Sequence, residues 1–91
     1  MKATCEISLY PLQEDYRKVI IGFILKLKKN KKLKVEVNGL STQLFGDYDV
    51  IMDVIKKEFK SVFEDNRAVF IFKMAQGERT KEALPKKLKS K

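Results

Sequence analysis

The segment that most constrains the fold runs from Asn38 to Asp49 and reads Asn-Gly-Leu-Ser-Thr-Gln-Leu-Phe-Gly-Asp-Tyr-Asp. Asn-Gly is a strong signal for a two-residue hairpin turn, because both residue types tolerate positive φ. The turn returns the chain as a strand, Leu40–Phe45, after which Asp47 or Asp49 caps a helix. The strand carries three polar residues in a row, at positions 41–43, which either face water or meet a polar partner.

The spacing of apolar residues predicts the other elements. Residues 3–10 alternate apolar and polar side chains, which indicates a strand, and Pro11 ends it because proline cannot donate to the ladder. Between Glu14 and about Lys29, apolar side chains recur every three or four residues, as in an amphipathic helix. The same two patterns predict a strand at 33–37, a helix marked by Val50 to Phe63, and a final strand at Ala68–Met74.

The element order β-α-β-β-α-β predicts an α+β fold of the ferredoxin-like class. A right-handed crossover from the first strand to the second leaves a gap that the third strand fills. The fourth strand pairs on the far side of the first, which gives a four-stranded antiparallel sheet of order 4-1-3-2 with both helices on one face. We assign residues 1–76 to this single domain. Residues 77–91 form a basic C-terminal tail that either frays or forms a short docked segment.

The net charge of +8 raises the question of nucleic-acid binding, but its distribution argues against it. Residues 77–91 hold six Lys or Arg against two Glu, so half of the excess lies in the tail. Six lysines between Lys26 and Lys34 are typical of a solvated helix end followed by a loop. The third strand also lacks the aromatic run with which many RNA-binding sheets stack bases. We therefore expect no nucleic-acid partner.

The single cysteine, Cys5, cannot form an internal disulfide, which favours a reducing compartment. The sequence has no apolar run of roughly 18 residues that could span a membrane, and its first residues do not resemble a signal peptide. We therefore predict a cytoplasmic protein without a membrane partner. Cys5 lies on the apolar side of its strand and is interpreted as an inert core residue, and Phe70 and Phe72 are also assigned to the core.

The sequence lacks the residues on which most catalytic chemistry depends. It contains no histidine, the commonest general base and metal ligand near neutral pH. It also has no Gly-rich phosphate loop, no nucleophile with a histidine partner, and only one thiol that could bind a metal. We predict that the protein is not an enzyme and uses no cofactor.

Helices cover only one side of the predicted sheet, so the other side is open. With a two-residue turn Val37 faces Leu40, which puts Thr42 on the helix side; a bulge would reverse this assignment. The mixture on the open side can hold a small polar heterocycle, or it can form a subunit interface with a polar rim. The open side carries Glu6, Ser8, Tyr10, Lys34, Glu36, Ser41, Gln43, Phe45, Val69, Ile71 and Lys73.

Three of the polar side chains have a structural as well as a functional interpretation. Glu6, on a central strand, is expected to pair with a cation such as Lys73 rather than to act in catalysis. Tyr10 either packs its ring at the strand end or stacks on a ligand. Asn38 fits turn chemistry better than ligand contact.

Two stretches of the sequence resemble the thiamine-binding YkoF-like family. The first is Glu-Ile-Ser-Leu-Tyr-Pro-Leu at residues 6–12, and the second is Lys-Val-Glu-Val-Asn-Gly-Leu-Ser-Thr-Gln-Leu-Phe-Gly-Asp-Tyr-Asp at residues 34–49. Ala68–Met74 fits the closing strand of that family. The similarity covers about residues 3–76 and leaves the tail outside.

The resemblance implies a ferredoxin-like fold that assembles through its sheets into a homo-oligomer, a dimer or a tetramer. It also implies binding of thiamine or a related hydroxymethylpyrimidine compound. Some members carry two such domains and this chain carries one, so a complete site can require a second subunit. The ligand-contact candidates matched to the motifs are Glu6, Ser8, Tyr10, Asn38, Ser41, Thr42 and Gln43.

Two functions remain open on the sequence alone. The first is a non-enzymatic protein that binds a thiamine-like small molecule and acts as a homo-oligomer. The second is an interaction module whose open sheet face serves only oligomerisation, with the basic tail binding an acidic partner.

Overall fold

The computed structural model of the protein describes residues 1–80, 82 and 84–89. Within them, strands and helices follow the predicted order, and a short helix is added in the tail. No helix in this part of the chain combines the length and the apolar character needed to cross a bilayer. The elements are β1 Lys2–Pro11, α1 Tyr16–Lys28, β2 Lys34–Val37, β3 Thr42–Asp47, α2 Tyr48–Asp65, β4 Ala68–Gln76 and α3 Lys86–Lys89.

The strands form one four-stranded antiparallel sheet of order β2-β3-β1-β4, which is the predicted order read from the other edge. β1 lies inside the sheet and pairs with two neighbours, so that Ala3 stands opposite Gly46 on β3 and Gln76 on β4. The prediction of an α+β, ferredoxin-like fold is confirmed.

The core lies between the sheet and the helices α1 and α2. β1 contributes every second side chain to it, as the alternation of a strand requires. Cys5 is fully buried there, and burial together with the neighbouring Glu6 carboxylate raises the pKa of its thiol to about 11. A thiol with that pKa stays protonated near neutral pH, which supports its interpretation as an inert core residue. The buried apolar cluster consists of Ala3, Cys5, Ile7, Phe23, Leu27, Leu33, Leu44, Ile51, Ile55 and Val62.

The two aromatic residues assigned to the core have different environments. The Phe70 ring stacks on Phe59 with 3.7 Å between ring centroids and also contacts Phe23, so it packs against the core as predicted. Phe72 contacts the edge of Phe59, yet 46% of it is exposed. The core prediction for Phe72 is therefore wrong, because its position on β4, an edge strand, leaves one side of the ring uncovered.

Asp47, rather than Asp49, caps helix α2. Its carboxylate accepts a hydrogen bond from the backbone N–H of Asp49 and lies 3.3 Å from the amino group of Met1. The hydrogen bond from that amino group is the main reason that the pKa of Asp47 is lowered. The helix start is therefore tied to the beginning of β1, which fixes where β3 ends.

The prediction that Asn38 and Gly39 form the centre of the turn between β2 and β3 is wrong: the Asn38 backbone N–H donates to the Ser41 carbonyl, so Gly39 and Leu40 are the central residues. Val37 pairs with Thr42 instead of Leu40, so the loop contains residues 38–41. The physical reason is the Asn38 side chain, whose Oδ1 accepts hydrogen bonds from the backbone N–H groups of Leu40 and Ser41. An asparagine that satisfies two backbone donors in this way sits at the start of the turn, not at its centre.

The error in the turn does not change which side chains face the helices. The pairing moves by two residues, and side chains on a strand alternate with a period of two, so each residue keeps its predicted face. Thr42 and Leu44 are buried on the helix side, and Gln43 lies on the open side. The sequence-based assignment of the open face therefore agrees with the register of all four strands.

Candidate ligand site on the open sheet face

A row of polar side chains crosses the whole open face, with one member on each strand. Glu36 on β2 stands opposite Gln43 on β3, Gln43 stands opposite Glu6 on β1, and Glu6 stands opposite Lys73 on β4. We call these four residues the polar row. Because each member comes from a different strand, only the folded sheet brings them together.

Glu6 is the centre of the row. Its Oε2 accepts a hydrogen bond of 3.0 Å from the Ser41 hydroxyl, and its Oε1 lies 3.4 Å from Lys73 Nζ. The hydrogen bond from Ser41 is the largest cause of a lowered pKa of Glu6, and Lys73 and Gln43 lower it further. The carboxylate is therefore charged at neutral pH and keeps 35% of its side chain exposed. The predicted ion pair between Glu6 and Lys73 is present.

The second acid of the row is also paired. Glu36 Oε2 lies 3.3 Å from Lys34 Nζ, and the same ammonium group lies 5.9 Å from the centroid of the Phe45 ring. Each of these two carboxylates thus has a lysine partner, and Lys34 also lies 3.9 Å from Glu82 in the tail. The face combines acceptors for hydrogen bonds with little net charge.

The first residues of the tail return over one end of the open face. Gly77 turns the chain with φ +85°, a conformation that glycine adopts without strain. The Thr4 hydroxyl then donates to the Gly77 carbonyl (2.8 Å) and accepts from the Arg79 backbone N–H (2.7 Å). Phe45, which is paired with Thr4, is only 2% exposed although it lies on the open side. Of the two alternatives for the tail, this portion takes the docked one.

A cleft of about 500 Å³ lies between the polar row and the docked part of the tail. Gln43 lines this cleft, stands opposite Glu6 on the neighbouring strand and helps to lower the pKa of its carboxyl, so the cleft adjoins the acidic centre of the row. Its lining residues are Glu36, Val37, Asn38 and Gln43 from the sheet and turn, and Arg79, Thr80 and Leu84 from the tail.

Sequence reasoning did not identify Arg79 as a site residue. The tail has no periodic pattern, and its contact with the sheet depends on tertiary hydrogen bonds to Thr4 that no local spacing reveals. The only local signal is the glycine at the end of β4, which is typical of a turn that sends the chain back.

The structure brings three of the predicted ligand-contact residues together: Ser41 donates a hydrogen bond to Glu6, and Gln43 stands opposite Glu6 in the sheet. Ser8 is the next open-side residue of β1, and its hydroxyl lies 3.4 Å from the Leu40 carbonyl. The other three candidates are placed differently.

Tyr10 lies one open-side position beyond Ser8 and is half exposed. Asn38 uses its side chain in the turn, as expected, although it also lines the cleft. Thr42 is 6% exposed on the helix side of the sheet, where it lines a small pocket of about 110 Å³ together with Ser8, Asn38 and Ser41.

A larger groove, of about 720 Å³, lies on the helix side between α1 and α2. Lysines from α1, the following loop and α2 line it, and Lys26 donates a hydrogen bond to Ser61 across the groove. None of the predicted ligand-contact residues lines it. The open sheet face, and not this groove, is therefore our candidate site.

Comparison with known proteins relates the chain to a family and to solved structures. A protein of Methanocaldococcus jannascii without an assigned function is 32% identical, with 97% of this chain and 93% of that chain covered and a TM-score of 0.74. A Thermotoga maritima protein with a proposed role in thiamine biosynthesis or salvage is 26% identical, with 85% of each chain covered and a TM-score of 0.76.

A Streptococcus pneumoniae protein, 24% identical, shares the fold with a TM-score of 0.80 over 99% of this chain and 100% of that chain. No curated protein matches the chain. The model of the YKOF-related family matches residues 2–77, which include the whole sheet, both long helices and the polar row. The chain therefore belongs to the YKOF-related family.

Proposed function

We propose that the protein is a non-enzymatic binder of thiamine or a hydroxymethylpyrimidine-type compound and that it acts as a homo-oligomer. The observation that carries the proposal is the charged, partly exposed Glu6 carboxylate held by Ser41 and Lys73 in the middle of the open face. Membership of the YKOF-related family and the likeness to the Thermotoga maritima protein support the thiamine-like ligand class.

The chemistry of the pyrimidine ring matches the groups around Glu6. An aminopyrimidine donates hydrogen bonds through its exocyclic amine, and a carboxylate is a strong acceptor for such a donor. Hydroxyl groups such as those of Ser8 and Ser41 can donate to ring nitrogens, and the Tyr10 ring offers an aromatic surface for stacking.

The ion pair between Glu6 and Lys73 does not prevent ligand binding. The Lys73 side chain is 81% exposed, and exposed ion pairs contribute only about 0–1 kcal/mol. A ligand amine can therefore replace the ammonium group of Lys73 at small cost, while the Ser41 hydroxyl keeps the carboxylate in place.

The oligomer part of the proposal depends on the apolar end of the open face. We use that name for Tyr10, Val69 and Ile71, which are 50%, 45% and 62% exposed. Tyr10 stands opposite Val69 on neighbouring strands, and Ile71 follows on the same side, so the three form one patch. A contiguous apolar patch on a sheet favours contact with another protein surface, here a second copy of this chain.

The ligand proposal is tested by isothermal titration calorimetry with thiamine and with hydroxymethylpyrimidine. We expect Glu6→Ala to weaken binding about ten- to hundredfold, since a hydrogen bond to a charged group contributes about 1.5–3 kcal/mol. The matched control is Glu64→Ala, which removes an exposed acid from α2, away from the sheet, and should leave the affinity unchanged. Circular dichroism checks that both variants remain folded. An unchanged affinity of Glu6→Ala would contradict the role of this carboxylate.

The second candidate function is an interaction module whose open face is used up in oligomerisation. The observation that favours it is again the apolar end, which needs a protein partner but no ligand. In that case neither compound gives a binding heat with the wild-type protein, whereas the oligomer persists in sedimentation. The basic tail then remains available for an acidic partner.

A further inference from the structure

Arg79 occupies a fixed position at the edge of the candidate site. Its backbone N–H is held by the Thr4 hydroxyl, two residues after the turn at Gly77, whose own N–H donates to the Lys2 carbonyl. The Arg79 side chain is anchored as well, because Nε donates to the Gln76 carbonyl at 3.2 Å. These contacts direct an arginine from outside the sheet to the cleft, which it lines together with Glu36 and Gln43.

Arg79 is the cation lining the cleft for which the described part of the chain provides no ion pair. Glu6 is paired with Lys73, and Lys34 lies 3.3 Å from Glu36 and 3.9 Å from Glu82 of the tail. Among the described residues, no carboxylate lies within ion-pair distance of the Arg79 guanidinium. Nε is already bonded, and neither Nη group has a hydrogen-bond partner among the described residues; the two have the geometry that binds two oxygens of one phosphate group.

We propose that Arg79 binds the phosphate group of the ligand, so that the ligand class of this site is a phosphate ester of thiamine or of hydroxymethylpyrimidine. The inference rests on the proposed function and specifies its ligand. An aminopyrimidine whose amine meets Glu6 lies beside Gln43, and its other end then extends into the cleft toward Arg79. The cleft volume of about 500 Å³ is within the range of small-molecule sites.

Electrostatics favours the ester over the free alcohol. Free thiamine carries a positive thiazolium ring and has no anionic group to offset the Arg79 charge. A phosphate ester supplies that group and gains a charge-assisted pair of hydrogen bonds. Arg79 also lies beyond residues 2–77, which the family model matches, so it belongs to the part of the chain that family membership does not describe.

The experiment measures the affinity for thiamine, thiamine monophosphate and inorganic phosphate by calorimetry at fixed salt. We expect the wild-type protein to bind the monophosphate about tenfold more tightly than thiamine. Arg79→Gln should remove this preference and leave the thiamine affinity equal or slightly higher. Arg79→Lys should retain part of the preference, because it keeps the charge but not the paired donors.

The matched control is Lys87→Gln, which removes a cation from another part of the tail, outside the cleft, and should preserve the preference. If the wild-type protein binds both compounds equally, or if Arg79→Gln weakens both by the same factor, the phosphate role of Arg79 is wrong while the proposed function stands. If neither thiamine nor its monophosphate binds, both proposals fail.

Discussion

The polar row and the apolar end share one face of one sheet but differ in how their side chains are satisfied. In the polar row, Glu6 and Glu36 each have a cationic partner, and the docked tail borders the row on one side. At the apolar end, Val69 and Ile71 are about half exposed, and no strand or helix of the described residues covers them. Alternate residues of one strand, β1, thus contribute to a paired polar surface at Glu6 and to an exposed apolar surface at Tyr10.

The two regions should therefore respond to different substitutions. A change in the apolar end should affect association first, whereas a change near the polar row should affect ligand binding or the tail.

Ile71→Glu should dissociate the oligomer. Burial of an isoleucine contributes about 1.5–3 kcal/mol, and a two-fold interface contains two copies, so the dissociation constant should rise about 100-fold or more. Sedimentation velocity measures the result. The matched control is Ile21→Glu, because Ile21 is exposed to a similar extent, 56% against 62%, but lies on α1 on the other side of the molecule. Dissociation by Ile21→Glu alone would place the interface on the helices.

Thr4→Val should release the tail from the polar side of the face. The variant loses two hydrogen bonds, those to Gly77 and Arg79, and we expect the free energy of unfolding to fall by about 1–2 kcal/mol in urea titrations. It should also abolish the preference for the phosphate ester, because the Arg79 backbone is no longer held.

A double-mutant cycle with Gly77→Ala tests whether the tail contact is the cause. Alanine at φ +85° is strained, so this variant disturbs the same turn. If both changes act through the tail, the double variant should lose less free energy of unfolding than the two single variants lose together. Strict additivity would show that Thr4 stabilises the protein in another way.

The pH dependence of the polar row should change with Ser41→Ala. The folded-state pKa of Glu6 is depressed, so its contribution to stability is present above the unfolded-state pKa and is lost as the pH falls through the folded pKa. The contribution of Glu6 to stability should therefore be constant from pH 7 to the ordinary Glu pKa of 4.5 and decline only below it.

Ser41→Ala removes the largest cause of the depression and should raise the pKa of Glu6 toward that value in an NMR titration of the carboxyl carbons. The carboxyl of Asp47 is an internal control, since its pKa is lowered by the Met1 amino group and should not move. An unchanged pKa of Glu6 would show that Lys73 alone holds the charge.

The sequence was sufficient for the parts of the site that follow from alternation. The period of two along residues 3–10 assigns Cys5 and Ile7 to the core and Glu6 and Ser8 to the open face, and the structure agrees. The position of Asn38 within the turn between β2 and β3 could not be predicted from the sequence. An Asn-Gly pair is compatible both with the centre of a turn and with an asparagine at its start that accepts hydrogen bonds from two backbone N–H groups.

The exposure of Phe72 and the position of Arg79 could not be predicted from the sequence, and the reason is the same for both. The exposure of Phe72 depends on which strands end up at an edge and how far the helices reach. The position of Arg79 depends on hydrogen bonds between residues 75 apart in the chain. Contacts of this kind are set by the assembled tertiary structure, and no window of neighbouring residues contains them.

The origin of the polar row in four separate strands has a thermodynamic consequence. Unfolding disperses Glu36, Gln43, Glu6 and Lys73 along the chain, so a molecule that needs this arrangement has no affinity for the denatured state. Each bound molecule therefore stabilises the native sheet against unfolding. At a free concentration of 100 times its dissociation constant, it raises the unfolding free energy by about 2.7 kcal/mol, and the melting temperature reports occupancy without any label.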